Sequence, residues 1–185
     1  MMDVMLVLTT FGITTLTHLR CNDCFMSAVQ IQDILLAFAL SLRSLVVLTK
    51  GAAVILSDLE LMRRIETNAL NLATLTGLRS LTLSVNTSDT YLCVCTLRTS
   101  NQHSLRKIEL IFQLNWFSLG GTPGVGMEAL DDHLFALPSV EVRIKLCTWG
   151  LMPEGFRPLA PWEARCFETW IAWTLVRSQS LVIMV

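Results

Sequence analysis

Charge is the first thing this chain is short of. Only 16% of its residues are Asp, Glu, Lys or Arg, and fourteen basic against fifteen acidic side chains leave a formal net charge of -1. Nowhere do the basic residues form a block. A nucleic-acid surface needs a positive stripe to release counterions, so that class of partner is not expected. Long apolar runs are missing too. A helix crosses a bilayer with roughly 20 consecutive apolar residues, whereas the longest charge-free run, Ile111 to Met127, is broken by Gln113, Asn115 and several glycines and a proline. At the start, Asp3 stands where a signal peptide carries a basic residue, and Thr9, Thr10, Thr14 and Thr15 interrupt the apolar stretch. Neither a membrane span nor a signal peptide is expected.

Catalytic and metal-binding patterns are equally sparse. The three histidines, His18, His103 and His133, are scattered, and no partner for a triad is set by spacing. Gly120 to Gly126 is glycine-rich but lacks the lysine and hydroxyl that complete a phosphate loop. Asp131-Asp132-His133 reads as the polar face of a short helix between Leu130 and Leu134. Cys21-x-x-Cys24 has metal-ligand spacing, but zinc needs a second pair and Cys93-x-Cys95 is spaced wrongly for one. All six cysteines, with Cys147 and Cys166, lie within apolar patterns, as buried thiols do in a reducing compartment. The expectation is a non-catalytic intracellular protein, cytoplasmic or nuclear, without a metal or cofactor.

What the chain does have is leucine at regular intervals. Apolar residues make up 52% of it, and its mean hydropathy is +0.55. Without a membrane span, that much apolar surface calls for a large interior. Leu16 to Met26 fits the template L-x-x-L-x-L-x-x-N/C-x-L, with Cys21 and Met26 in two leucine places. Leu78-Arg-Ser-Leu81-Thr-Leu83-Ser-Val-Asn86 repeats it, as do Leu105-Arg-Lys-Ile108-Glu-Leu110 and Leu137-Pro-Ser-Val140-Glu-Val142-Arg-Ile144. A weaker unit has two possible registers. Counting from Leu45 puts Lys50 in a core place. Counting from Leu42 puts it in a polar one, which avoids burying an unpaired lysine. With Leu45 as the weak unit's start, the units recur about every thirty residues.

Helical spacing fills the intervals. Ile31, Ile34, Leu35, Phe38 and Ala39 mark a helix over 28–42. Ser57-Asp-Leu-Glu60 is a capping box ahead of Leu59, Met62, Ile65, Ala69 and Leu72. Ser88-Asp89 opens a helix through Tyr91, Leu92, Cys95 and Leu97, and Met127, Leu130, Leu134 and Leu137 mark another. The spacing therefore predicts an α/β solenoid of about five strand–helix units, with a parallel sheet on one face and helices on the other. Residues 1–15 are an N-terminal strand or cap, with Met1 to Leu8 as the strand. Residues 16–150 are the array. Residues 151–185 are a C-terminal cap: a turn-rich connector at Met152 to Pro158, a helix over 162–176 and a strand at Leu181 to Val185. Trp149, Trp162, Trp170 and Trp173 crowd this end and are expected to cover the open core or anchor a partner.

Side chains alternate along a strand, so the residues between the leucines face outward. With the weak unit counted from Leu45, they form three columns. The first is His18, Val47, Ser80, Lys107 and Ser139; the second is Arg20, Thr49, Thr82, Glu109 and Glu141; the third is Asn22, Gly51, Ser84, Ile111 and Arg143. The candidate binding positions on this face are His18, Arg20, Asn22, Lys107, Glu109, Glu141 and Arg143. Glu109 and Glu141 are expected side by side, with Lys107 and Arg143 neutralising them; a basic peptide from a partner is the alternative cation.

Leu-Thr-His-Leu-Arg-Cys-Asn-Asp-Cys-Phe from Leu16, Leu-Arg-Ser-Leu-Thr-Leu from Leu78, and Ala129-Leu-Asp-Asp-His133 ahead of Leu-Pro-Ser-Val-Glu-Val-Arg-Ile together resemble the degenerate leucine-rich-repeat regions of fungal F-box proteins. The resemblance covers most of the chain from Leu16 onward. It implies a substrate-binding arm: the F-box recruits the Skp-type adaptor of a cullin–RING ubiquitin ligase, and the repeats hold the protein to be ubiquitinated. No F-box is legible in these residues, so the adaptor is expected only if an F-box lies outside them. The alternative from another class is a structural or non-functional fragment of a larger repeat protein.

Overall fold

The computed structural model describes residues 8, 10–22, 27–48, 69–86, 90–101, 103–114, 125–137, 139–149, 156–157 and 181–184. Strands β1 (His18–Asn22), β2 (Ser44–Leu48), β3 (Ser80–Asn86), β4 (Lys107–Leu114) and β5 (Glu141–Trp149) pair in chain order, each parallel to the next. Helices α1 (Ala28–Ala37), α2 (Thr90–Arg98) and α3 (Val125–Phe135) lie between them in sequence. The class is α/β with a five-stranded parallel sheet.

Period-two alternation sets the sheet's inner face. Register places Leu19, Leu45, Leu81, Ile108 and Val142 in one row, and Cys21, Val47, Leu83, Leu110 and Ile144 in the next. All but Leu19 are buried, and Leu19 packs against the same core. Ile31 and Leu35 of α1, Cys93, Val94 and Leu97 of α2, and Met127, Leu130 and Leu134 of α3 join that core. Burial of this kind stabilises by about 25 cal/mol per Å² of apolar surface, and the rows supply it without interruption across five strands.

Local chemistry sets the helix ends. Ser27 caps α1: its Oγ accepts from the Gln30 amide at 3.3 Å, and Gln30 Oε1 accepts from the Ser27 amide at 2.9 Å, a reciprocal capping box. The helix stops at Ala37, five residues short of the expected end, because Leu42 is needed as a buried core residue ahead of β2. The α2 face that is buried is Thr90, Cys93, Val94 and Leu97; Tyr91, Leu92 and Cys95 are only half-buried, a rotation from the expected face. Gly126 explains part of it. A Cβ there would lie 2.6 Å from the Tyr91 amide nitrogen, so the lack of a side chain lets α3 approach the start of α2.

Polar side chains finish the backbone pairing in the connections. Ser41 Oγ donates to Leu16 O at 3.0 Å and accepts from Leu16 N at 3.2 Å, tying the turn before β2 to the segment before β1. Gln32 does the same for Asn71, accepting from its amide at 2.8 Å and donating to its carbonyl at 3.0 Å. Thr99 Oγ1 accepts from the Leu72 amide at 2.9 Å. Each supplies a partner that a segment outside the ladder lacks.

Two expectations are corrected. Leu8, expected to end a strand, is helical, as is Thr10, and Ile13 N donates to Leu8 O at 3.0 Å across Gly12, whose φ is 65°. That is a Schellman-type helix ending, which only glycine adopts at little cost. Met1 to Val7 lie outside the described residues. The connector at Phe156–Arg157 forms a short strand, β6, antiparallel to the end of β5. The expected last strand forms: β7 (Leu181–Met184) pairs parallel with the beginning of β5. β4 occupies one edge of β5, so β6 and β7 share the other. The Ser57 capping box, the glycine-rich loop over 119–124 and Trp162, Trp170 and Trp173 lie outside the described residues.

Candidate functional site

The outward face of the sheet is where the candidate residues fall, but two units shift. In the second unit Ser44 and Val46 face outward, opposite His18 and Arg20, while Val47 is buried. The register counted from Leu42 is the one adopted, and the physical reason is burial: Leu42, Leu45 and Val47 then all point into the core. Lys50, Thr49 and Gly51 lie outside the described residues.

The fifth unit moves by two residues. Lys107 pairs in register with Glu141, and Glu109 with Arg143. Ser139 precedes the strand, and its column is taken by Glu141. Glu109 and Glu141 are therefore not side by side, and the repulsion that would call for an outside cation is absent. Val142 and Ile144 still face inward in either register, because a shift of two preserves alternation. This is why the sequence pattern alone cannot distinguish the two.

The charges on β4 and β5 neutralise one another. Glu109, only 13% exposed, accepts from Lys145 Nζ at 2.9 Å and faces Lys107 Nζ at 3.7 Å. Glu141 is held by Arg143 Nε on the same strand. Lys145, opposite Ile111, completes the group and is absent from the expected site. The other three candidates sit at the far edge of the sheet, on β1. His18 is exposed, with Nδ1 2.9 Å from Thr17 Oγ1, and Arg20 is exposed beside it on the same face. Asn22 ends β1 opposite Leu48. With β2 and β3 between, the β1 and β4 groups are separated by roughly 14 Å, three strand spacings. The structure thus brings together Lys107, Glu109, Glu141 and Arg143 but not His18, Arg20 and Asn22 with them.

The other constellations resolve differently from their sequence patterns. Asp131 is buried and His133 half-buried, so Asp131-Asp132-His133 is not a solvated face; only Asp132 is exposed. His133 hydrogen-bonds to the Leu97 backbone, yet burial, and secondarily the Arg98 charge, pull its pKa below 6.5. Its Nε2 is buried with no partner among the described residues. Cys21 and Cys93 are buried and Cys95 is half-buried, and burial pushes Cys93 up to about 12, where it is inert as a nucleophile. Among the described residues no group of His, Cys, Asp and Glu is placed to hold a metal ion. None of their helices is long and apolar enough to cross a membrane.

One feature escapes a reading built on leucine spacing. Arg43, Arg79 and Arg106 directly precede β2, β3 and β4 and line an open cleft with Thr76, Gly77 and Ser104. The signal is present in the sequence as the tetrapeptide Leu-Arg-Ser-Leu, which occurs at Leu42 and again at Leu78, followed by Leu-Arg-Lys-Ile at Leu105. Once Leu42 is taken as the start of the second unit, the three arginines fall in one column. Comparison with protein-family models, with curated proteins and with solved structures returns no match for this chain, so its own geometry carries the functional reading.

Proposed function

We propose that this chain is a non-catalytic protein-interaction module, built as a leucine-rich-repeat-like solenoid, and that it serves as the substrate-binding arm of an F-box-type ubiquitin-ligase receptor. The observation that carries the reading is the in-register alignment of five consecutive parallel strands, each contributing outward residues to one continuous face. A repeat array presents such a face to partners because each strand adds positions without changing the core. His18, Arg20, Glu141 and Arg143 are the side chains on which recognition is expected to depend. The Skp-type adaptor enters only through an F-box outside these residues.

The test is affinity capture with the tagged chain, followed by charge reversal at Arg20→Glu and Arg143→Glu. A partner that is lost in both variants and retained by Asp33→Ala on α1 supports the module. A partner indifferent to the outward strand positions overturns it. Adding purified adaptor to the full gene product checks the ligase part separately, since failure there removes the receptor role and leaves the module standing. Non-cooperative unfolding with aggregation would instead favour a structural or non-functional fragment of a larger repeat protein.

A further inference from the structure

The rim where the parallel strands begin carries three charges that the sheet itself lines up. Arg43 O accepts from Arg79 N at 2.8 Å and from Ser80 N at 3.1 Å; Arg79 O accepts from Arg106 N at 2.9 Å and from Lys107 N at 3.0 Å. These bonds lock the three arginines one strand spacing apart, about 4.8 Å each, so three positive charges originate within about 10 Å. All three residues are exposed. With Thr76, Gly77 and Ser104 they line an open cleft of about 460 Å³, and among the described residues no lining side chain is acidic. A guanidinium cannot relieve like-charge repulsion by losing its proton. The row therefore keeps its charge and favours an anion.

Gly77 shapes the cleft. A Cβ at this position would overlap the Arg43 guanidinium, so the missing side chain is what lets that group lie against the backbone beside Arg79. Each guanidinium presents a planar fork that matches two oxygens of a phosphoryl group or carboxylate. The three forks originate along a line, so linked phosphoryl groups offer them successive oxygen pairs, where a single phosphate ion offers its oxygens at one point. The cleft volume is also that of a small-molecule site. A duplex or an extended nucleic-acid strand needs a much longer positive track than three residues.

We infer that the arginine cleft is a binding site for a small polyanion carrying two or more linked phosphoryl groups. It is independent of the outward strand face, so either assignment can fail without the other.

The experiment is calorimetric titration of the full chain at low salt with inorganic tripolyphosphate, with orthophosphate, citrate and a phosphate-free acidic peptide as parallel probes. The expected result is one tripolyphosphate per chain, bound about tenfold or more tighter than orthophosphate or citrate. Arg79→Gln, which removes the central fork, should weaken tripolyphosphate by about tenfold or more, as expected for hydrogen bonds to a charged group. Arg43→Gln and Arg106→Gln should weaken it in the same direction, and they keep the test decisive if Arg79→Gln does not fold. Arg98→Gln, exposed at the end of α2 and outside the cleft, should leave binding within about twofold. The inference is overturned if Arg79→Gln binds like the parent, or if Arg98→Gln loses as much as Arg79→Gln, which would mean general surface attraction. Equal affinity for orthophosphate would mean an adventitious ion only. Tighter binding of the acidic peptide would reassign the cleft to a protein partner.

Discussion

Arg106 and Lys107 are joined by one peptide bond, yet they belong to opposite kinds of charged surface. Lys107 enters the group on β4 and β5 in which Glu109 and Glu141 are each matched by a cation. Arg106 belongs to the rim row, where Arg43 and Arg79 are its strand neighbours and no described residue lining the cleft carries a carboxylate. The difference comes from what the adjacent strand supplies. Along β4 and β5, acidic and basic residues share one face, so register brings unlike charges into reach. At the rim, three successive units supply the same residue at the same place, and register can only stack like on like. A matched group has its charge balanced within the fold; an unmatched one is a surface still asking for a counter-charge.

Four measurements break or sharpen that contrast. The largest effect tests the scaffold both regions share. Phe112 is fully buried in β4, and Phe112→Ala is expected to cost about 3–5 kcal/mol in urea unfolding. A loss below about 1 kcal/mol would mean that β4 is not a core strand and that neither surface is held rigidly. Next comes the matched group. Glu109→Lys places a cation among Lys107, Arg143 and Lys145, and with so little of Glu109 exposed the expected loss is about 2 kcal/mol. At the rim the sign should reverse. Arg79→Gln removes a repulsive neighbour from an exposed row and should change stability by no more than about 0.5 kcal/mol, with any change upward. If Glu109→Lys and Arg79→Gln destabilise equally, the contrast between the two regions is wrong.

The smallest effect concerns an ionisable group that is matched on one side only. The pKa of His133 is lowered in the fold, so the unfolded chain takes up its proton first as pH falls. The contribution of neutral His133 is fully present above the unfolded value of 6.5 and is lost as pH falls through the lower, folded value. Urea midpoints measured on either side of pH 6.5 should therefore fall toward the acid side, and His133→Gln should flatten that fall. An unchanged slope in His133→Gln would show that His133 is protonated alike in both states.

Much of the fold was legible because burial writes itself into sequence with a period. Leu78, Leu81 and Leu83 could hardly face anywhere but inward, and Ile31, Ile34 and Leu35 share a face at helical spacing. Registers were harder. The choice between Leu42 and Leu45 could be made from the cost of burying Lys50, but the two-residue offset at β5 left the alternation intact and so left no trace. Elements made by tertiary pairing were least legible: β6 exists because the edge of β5 was open, and Leu8 is helical although its neighbours are apolar enough for a strand. Of the candidate positions, Lys107, Glu109, Glu141 and Arg143 lie together on β4 and β5. Lys145 joins them only through that same offset, which the hydrophobic pattern does not carry.

By itself, the sequence determined the alternation of strand and helix, the inward leucine rows and the outward placement of His18, Arg20 and Glu109, since each follows from local periodicity and the cost of exposing apolar surface. Which outward residues meet was decided only in three dimensions. Parallel strands slide past one another in steps of two without exposing their cores, so the ladder of backbone hydrogen bonds, not the hydrophobic pattern, set Glu109 beside Arg143 and stacked Arg43, Arg79 and Arg106 along one rim.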